Sequence, residues 1–120
     1  MTDTQKLINE LSQFHGTENW YKNPLFPGYY YTDGIQYLAE QAGAYWLIDY
    51  IFSNQSISAI RKLTFQAWKL DVNDDHTAKI SVMDDNGAEV YSFHLEFTDF
   101  PLKEISLWLT DRILLLPSEY

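Results

Sequence analysis

The sequence predicts an α+β fold with two N-terminal helices packed on one face of a four- to five-stranded antiparallel meander sheet. In the first half of the chain apolar residues recur at spacings of three and four, the helical period, and from Thr64 onward they alternate, the strand period. The chain has 120 residues, of which 46% are hydrophobic and 21% charged, a size and composition that suit one folded domain spanning residues 1–120. Helices followed by a run of strands favour two packed layers.

The first predicted helix covers residues 3–14. Its apolar stripe has the helical spacing: Leu7, Ile8, Leu11 and Phe14. Three residues can cap its start and one glycine can end it: Thr2, Asp3, Thr4 and Gly16.

Residues 15–31 predict a long loop, because two prolines and two glycines interrupt regular structure there. The same segment is rich in aromatic side chains: Trp20, Tyr21, Phe26, Tyr29, Tyr30 and Tyr31. Loops of this length in small domains are often functional, so we predict a binding loop over residues 18–33. The alternative, that these aromatic side chains pack against the core, stays open.

The second predicted helix covers residues 33–52. Thr32 or Asp33 can cap it, and Gln36 follows Asp33 at the spacing of a capping box. The segment is apolar on most sides, which predicts a buried helix. Gly43 lies between two alanines, and we interpret this small stretch as a place where another element packs closely.

Asp49 falls on the apolar side of that helix when residues 33–52 are drawn as one helical wheel. A carboxylate buried there needs hydrogen-bond donors, and Tyr hydroxyls, a Trp indole N–H or loop amides are expected to supply them. We interpret Asp49 as a tie between the aromatic loop and the helix, with a binding or catalytic carboxylate as the alternative.

Three strands follow, each with alternating apolar residues, near 64–72, 79–82 and 91–97. Asn73-Asp-Asp75 and Asp84-Asp-Asn-Gly87 predict the turns between them. Residues 102–116 fit a strand hairpin that turns at Thr110-Asp-Arg112, and they also fit a helix.

Charge and composition exclude several classes of function. The chain carries 17 acidic and 8 basic residues, a net charge of −9, and residues 23–60 contain no Lys or Arg. Binding to nucleic acid or to an anionic membrane draws on cations, so neither partner is expected. The chain has no cysteine, and its start has no basic and apolar signal-peptide pattern, so we expect a cytoplasmic protein.

Catalytic and metal motifs are missing from the sequence: there is no Gly-rich phosphate loop, no Gly-x-Ser-x-Gly and no His-Glu-x-x-His. His15 and Glu18 supply two ligand types, which is too few for a zinc site. We therefore expect no metal and no cofactor, and the sequence favours a non-enzyme without deciding the matter.

Four segments resemble a known family: Gly16-Thr-Glu-Asn-Trp-Tyr21, Tyr31-Thr-Asp-Gly through Asp49, Asp99-Phe-Pro-Leu102 and Leu116-Pro-Ser-Glu-Tyr120. They are similar to small bacterial proteins, also carried on plasmids and phages, that are known only as a domain of unknown function. The resemblance covers most of the chain and implies no catalytic residues. Carriage on mobile elements would imply an acidic inhibitor of a host system.

The leading hypothesis is a non-enzymatic module that binds a protein partner. Its candidate binding residues lie in or beside the aromatic loop: Glu18, Trp20, Tyr21, Tyr29, Tyr31, Asp33 and Asp49. One alternative is an acidic mimic of nucleic acid. Another is a small enzyme that uses Asp49, Asp33 or Glu18 with a tyrosine. Exposed sheet edges and aromatic residues would also allow a homodimer.

Overall fold

The structure is a computed structural model that describes residues 3–120, so the capping role predicted for Thr2 lies outside the described residues. It is an α+β fold in which helices pack on one face of a seven-stranded mixed sheet. The expected α+β class is confirmed, whereas the expected four to five antiparallel strands and two helices are not. No helix within residues 3–120 is both long and apolar enough to cross a membrane.

The helices are shorter and more numerous than predicted. They are α1 (Asp3–Leu11), α2 (Asp33–Ala42), α3 (Tyr45–Ser53) and α4 (Ser58–Arg61), with 3₁₀ turns at Asn54–Ser56 and Pro117–Glu119. Helix α1 ends at Leu11, short of Phe14, whose half-buried ring instead contacts Tyr37 with 5.4 Å between centroids.

The single helix predicted over residues 33–52 is wrong, because the chain breaks at Gly43. This residue has φ 63°, and its N–H donates to the Ala39 carbonyl, so it caps the C-terminus of α2. A Cβ atom at Gly43 would meet nothing within 4 Å, so Gly43 does not serve close packing. The capping box is also not formed, since Thr32 caps α2 and the Gln36 amide donates to Glu40 and Tyr45.

The seven strands lie in the spatial order β1-β2-β7-β6-β3-β4-β5. They are β1 (Trp20–Lys22), β2 (Tyr30–Thr32), β3 (Phe65–Val72), β4 (Ala78–Met83), β5 (Glu89–Leu95), β6 (Glu104–Thr110) and β7 (Ile113–Leu115). Both predicted turns between β3, β4 and β5 form, and residues 102–116 form the β6–β7 hairpin rather than a helix.

Two features of the sheet differ from a meander. Strand β6 returns beside β3 instead of following β5, and β2 joins β7 in a parallel pair. The segment predicted as a loop at residues 15–31 therefore contains β1 and most of β2, two strands too short for alternation to reveal.

The core lies between the helices and one face of the sheet. Its most buried side chains come from both layers: Ile35, Leu38, Ile51, Phe52, Trp68, Leu70, Leu107 and Leu114. The side chain of a strand residue therefore either packs in this core or lies on the opposite side of the sheet, which we call the open face.

Candidate functional site

The seven predicted site residues do not form one surface. Strands β1 and β2 pair antiparallel, so Tyr21 lies opposite Tyr31 and Trp20 opposite Thr32. Because neighbouring residues of a strand face opposite ways, Tyr21 and Tyr31 lie on the helix side of the sheet and Trp20 on the other. The Tyr21 and Tyr31 rings stack with their centroids 5.4 Å apart.

Asp33, at the start of α2, holds the segment before β1. Its Oδ2 accepts the backbone N–H groups of Glu18 (2.9 Å) and Asn19 (3.2 Å). Its Oδ1 accepts the Tyr21 hydroxyl (2.9 Å) and the Asn19 side-chain amide (3.2 Å). The Asp33 N–H donates to the Thr17 hydroxyl (2.9 Å), so Asp33 both accepts hydrogen bonds from this segment and donates one to it.

This network changes the acidity of two groups. Desolvation alone would raise the pKa of the Asp33 carboxyl, but the hydrogen bonds from Glu18, Tyr21 and Asn19 outweigh it and lower the pKa to about 2. The bond to Asp33, followed by burial, raises the pKa of the Tyr21 hydroxyl. A carboxylate held this firmly in its charged form is a poor general base near neutral pH.

Glu119 connects distant parts of the fold, and the sequence analysis did not single it out. Its Oε1 accepts the Thr32 hydroxyl (2.6 Å) and the Leu116 N–H (2.9 Å), and its Oε2 accepts the Gly34 N–H (3.1 Å). An acidic side chain near a helix N-terminus is also favoured by the helix dipole. The signal in the sequence was its place in the Leu116-Pro-Ser-Glu-Tyr120 motif, which lies far from Thr32 in the chain.

Asp49 lies on α3 and is half-buried, not buried as the single helical wheel predicted, because the helix breaks at Gly43. It links α3 to the segment after β1, and the donor is a side-chain amide of that segment. Its Oδ1 accepts the side-chain amide of Asn23 at 2.7 Å, and Asn23 Oδ1 accepts the Leu25 N–H at 3.0 Å. Nearby, Tyr29 packs on Phe52 with 5.2 Å between ring centroids. Much of the predicted binding loop is therefore held against α3 by these contacts.

A groove of about 620 Å³ runs beside the Asp33 network, lined among others by His15, Glu18, Tyr37 and Glu40. Of the three carboxylates in the enzyme hypothesis, Glu18 and Asp33 both line this groove, together with Tyr21, whereas Asp49 does not. Within residues 3–120 no three His, Asp or Glu side chains are grouped closely enough to hold a metal ion.

The open face of the sheet carries a second group of aromatic side chains. Tyr30, Ile113, Thr110 and Phe65 lie in one row across four strands, because each is paired with the next. The row beside it contains Leu115 and Trp108. The side chains that point the other way lie in the core beneath the helices: Leu109, Leu114 and Trp68.

Ring contacts join side chains of this face into two clusters, which together with Ile113 we call the open-face patch: Trp20, Tyr30, Phe65, Trp108, Ile113 and Tyr120. Trp20 contacts Tyr30 (6.1 Å between centroids), and Phe65, Trp108 and Tyr120 contact one another (5.2–6.3 Å). Trp20 is 60% exposed and Tyr120 76%. Of these only Trp20 was a predicted site residue. The sequence signal for Trp108 is that it alternates with the apolar Leu107 and Leu109, which places it on the opposite face of a strand.

Comparison with known proteins gives a family but no activity. A family of unknown function (DUF6876) matches residues 5–120. No curated protein and no solved structure shows a significant match to the chain. Because the match spans nearly the whole sequence, this chain belongs to that family of unknown function.

Proposed function

We propose that the chain is a non-enzymatic protein-binding module whose contact surface is the open-face patch. The observation that carries the proposal is the exposure of large rings on a sheet face opposite the helices, with Trp20 60% and Tyr120 76% exposed. Trp and Tyr are enriched where proteins bind each other, because each offers a large contact area for few rotatable bonds.

The patch replaces most of the binding residues predicted from the sequence. Tyr21 and Asp33 bond each other, Tyr29 packs on Phe52, and Asp49 bonds Asn23, so these side chains already have internal partners. Trp20 stays part of the proposed surface, with Tyr30 beside it, while Trp108 and Phe65 lie farther along the same face on β6 and β3.

Two alternatives have less support. A mimic of nucleic acid needs carboxylates spaced along one face, whereas many exposed acids here lie in or beside turns, such as Asp74, Asp85, Asp99 and Asp111. An enzyme needs titratable groups that converge in a pocket. His15, Glu18 and Glu40 do line the groove beside Asp33, but Asp33 itself already accepts four hydrogen bonds.

The partner we infer is a protein of a reducing compartment, since a chain without cysteine suits the cytoplasm. If relatives of the chain travel on plasmids and phages, as the resemblance implies, that partner would be a protein of the host cell.

The test is affinity capture from a cell extract followed by calorimetry on the purified partner. We expect Trp20→Ala to weaken binding by about tenfold or more, as for a residue central to an interface. Phe97→Ala is the matched control, because Phe97 is also aromatic and 70% exposed but lies outside the patch. Equal losses in both variants, or a loss only in the control, would refute the open-face patch.

A further inference from the structure

We propose that Arg61 and Arg112 form a binding site for one phosphate-sized oxyanion. These are the only two arginines in a chain with net charge −9, and both line the same depression of about 140 Å³. This site shares no residue with the open-face patch and does not depend on the proposed function.

Neither arginine is neutralised by an acidic side chain. Within residues 3–120 the ion pairs are made by Lys6, Lys69 and Lys79, and no carboxylate oxygen lies within 4.0 Å of either guanidinium. Two unpaired guanidinium groups at one concavity are unusual where acids outnumber bases 17 to 8. Arginine binds phosphate oxygens with two parallel hydrogen bonds, which makes it the preferred residue for such anions.

The backbone at Arg112 is set by a tight hairpin turn. Asp111 and Arg112 have φ of 51° and 64°, so two successive residues that are not glycine adopt the left-handed conformation at the β6–β7 turn. A two-residue type I′ hairpin turn requires a positive φ at both central residues, so the turn fixes the direction in which the Arg112 side chain leaves the backbone.

Contacts on both sides complete the placement of Arg112. Its carbonyl accepts the Tyr30 N–H at 2.9 Å, and its guanidinium lies over the Tyr29 ring at 5.9 Å from the centroid. A side chain ordered before the ligand arrives loses less entropy on binding.

Two buried glutamines also line the depression. Gln55 and Gln66 are 5% and 3% exposed, and their amides bond each other reciprocally at 2.9 and 2.8 Å. The Trp68 indole N–H also donates to Gln66 at 2.9 Å. Gln55 also donates to the Ile51 carbonyl and Gln66 to the Ile60 carbonyl, so all amide hydrogens of the pair are used. The hydrogen-bond donors for the anion are therefore the two guanidinium groups.

Charge and size together define the ligand. Among the residues that line the depression, the two arginines face a single carboxylate, that of Asp111. The volume of about 140 Å³ accepts a phosphate group, whereas drug-sized ligands fill pockets of about 300–1,000 Å³. The anion is either free inorganic phosphate or a phosphate ester on a larger molecule.

The experiment is an NMR titration of the full chain with inorganic phosphate at constant ionic strength, set with chloride. We expect saturable shifts of the Arg61 and Arg112 Nε–H signals. Arg61→Gln and Arg112→Gln should each weaken binding by about tenfold, the loss for one hydrogen bond to a charged group. Lys62→Gln is the control for net charge, since Lys62 is exposed and does not line the depression, and it should change the affinity by less than about twofold.

Two further measurements identify the source of the phosphate group and keep the proposal testable if a variant fails to fold. Tighter binding of N-acetyl phosphoserine amide than of phosphate would indicate a phosphate ester as the source, and equal binding a free anion. Asp111→Asn keeps a residue that tolerates the left-handed turn and removes the opposing charge, so it should tighten binding even if Arg112→Gln fails to fold. The site is refuted by linear shifts that never saturate, by an equal loss in Lys62→Gln, or by equally tight binding of acetate.

Discussion

Asp33 and Glu119 show how single carboxylates organise this chain. Asp33 holds residues 17–21 against the start of α2, while Glu119 brings the C-terminal segment to Thr32 and Gly34. Three of the motif segments that carry the family resemblance thus meet at the N-terminus of α2. Their hydrogen bonds there connect three distant parts of the fold.

Asp33→Asn should lower stability in a way that depends on pH. Its folded pKa of about 2 lies below the ordinary value of 3.8, so the charged group adds stability above about pH 4, and that contribution is lost as the pH falls through the folded pKa. Urea titrations from pH 7 to pH 2 should show the gap between wild type and variant narrowing below pH 4. Asp85→Asn, in an exposed turn, controls for the loss of one charge, and a constant gap would mean that the network is open in solution.

Gly34→Ala tests the contact between α2 and Glu119. Alanine normally stabilises a helix by about 1 kcal/mol relative to glycine, but here its Cβ would lie 2.5 Å from Glu119 Oε1 and 2.7 Å from Leu116 Cδ1. We expect the overpacking to win, with a net loss of about 1–3 kcal/mol in the free energy of unfolding. The loss should shrink in a Glu119→Ala background, and a stabilised single variant would contradict the contact.

At the scale of elements, hydrophobic periodicity predicted the strands that span several residues. It failed where the conformation of a single residue decides the structure. The strands β3, β4 and β5 were recognised from their alternating residues, and both turns from their Asn, Asp and Gly residues. The prediction across Gly43 was wrong, because an apolar pattern continues through it and a helical wheel carries no information about φ. Strands β1 and β2, three residues each, are too short to show a period.

Gly43→Ala distinguishes the broken helix from the continuous one that the pattern predicted. At φ 63° an alanine is strained, so we expect a loss of about 1 kcal/mol or more in the free energy of unfolding. Gly43→Asn should lose less, because asparagine tolerates the left-handed region. In a continuous helix alanine would instead add about 1 kcal/mol, so the sign measured in urea decides between the two.

At the scale of the whole molecule, the sheet joins segments that are distant in sequence. The β2–β7 pair connects Tyr30 with Ile113, and β6 lies beside β3 after a connection from β5 that passes the β3–β4 turn, where the Thr98 N–H donates to the His76 carbonyl at 2.8 Å. Neither pairing has a local signature in the sequence, since each joins segments that lie far apart in the chain. Hydrophobic periodicity alone could therefore not predict which aromatic side chains come together on the open face.

Removing residues 117–120 should weaken this long-range closure and uncover part of the open face. The deletion eliminates the three hydrogen bonds to Glu119 and the Tyr120 ring, whose centroid lies 5.4 Å from that of Trp108. We expect a loss of about 2–4 kcal/mol in the free energy of unfolding, from several hydrogen bonds to a charged group, together with a red shift of tryptophan emission. Tyr120→Ala is the matched variant, because it removes the ring and keeps Glu119, so it should reproduce the red shift with a smaller loss of stability. Equal losses of stability in the two variants would mean that the Tyr120 ring, and not Glu119, holds the C-terminal segment in place. The link between β7 and α2 would then be weaker than the hydrogen bonds of Glu119 imply.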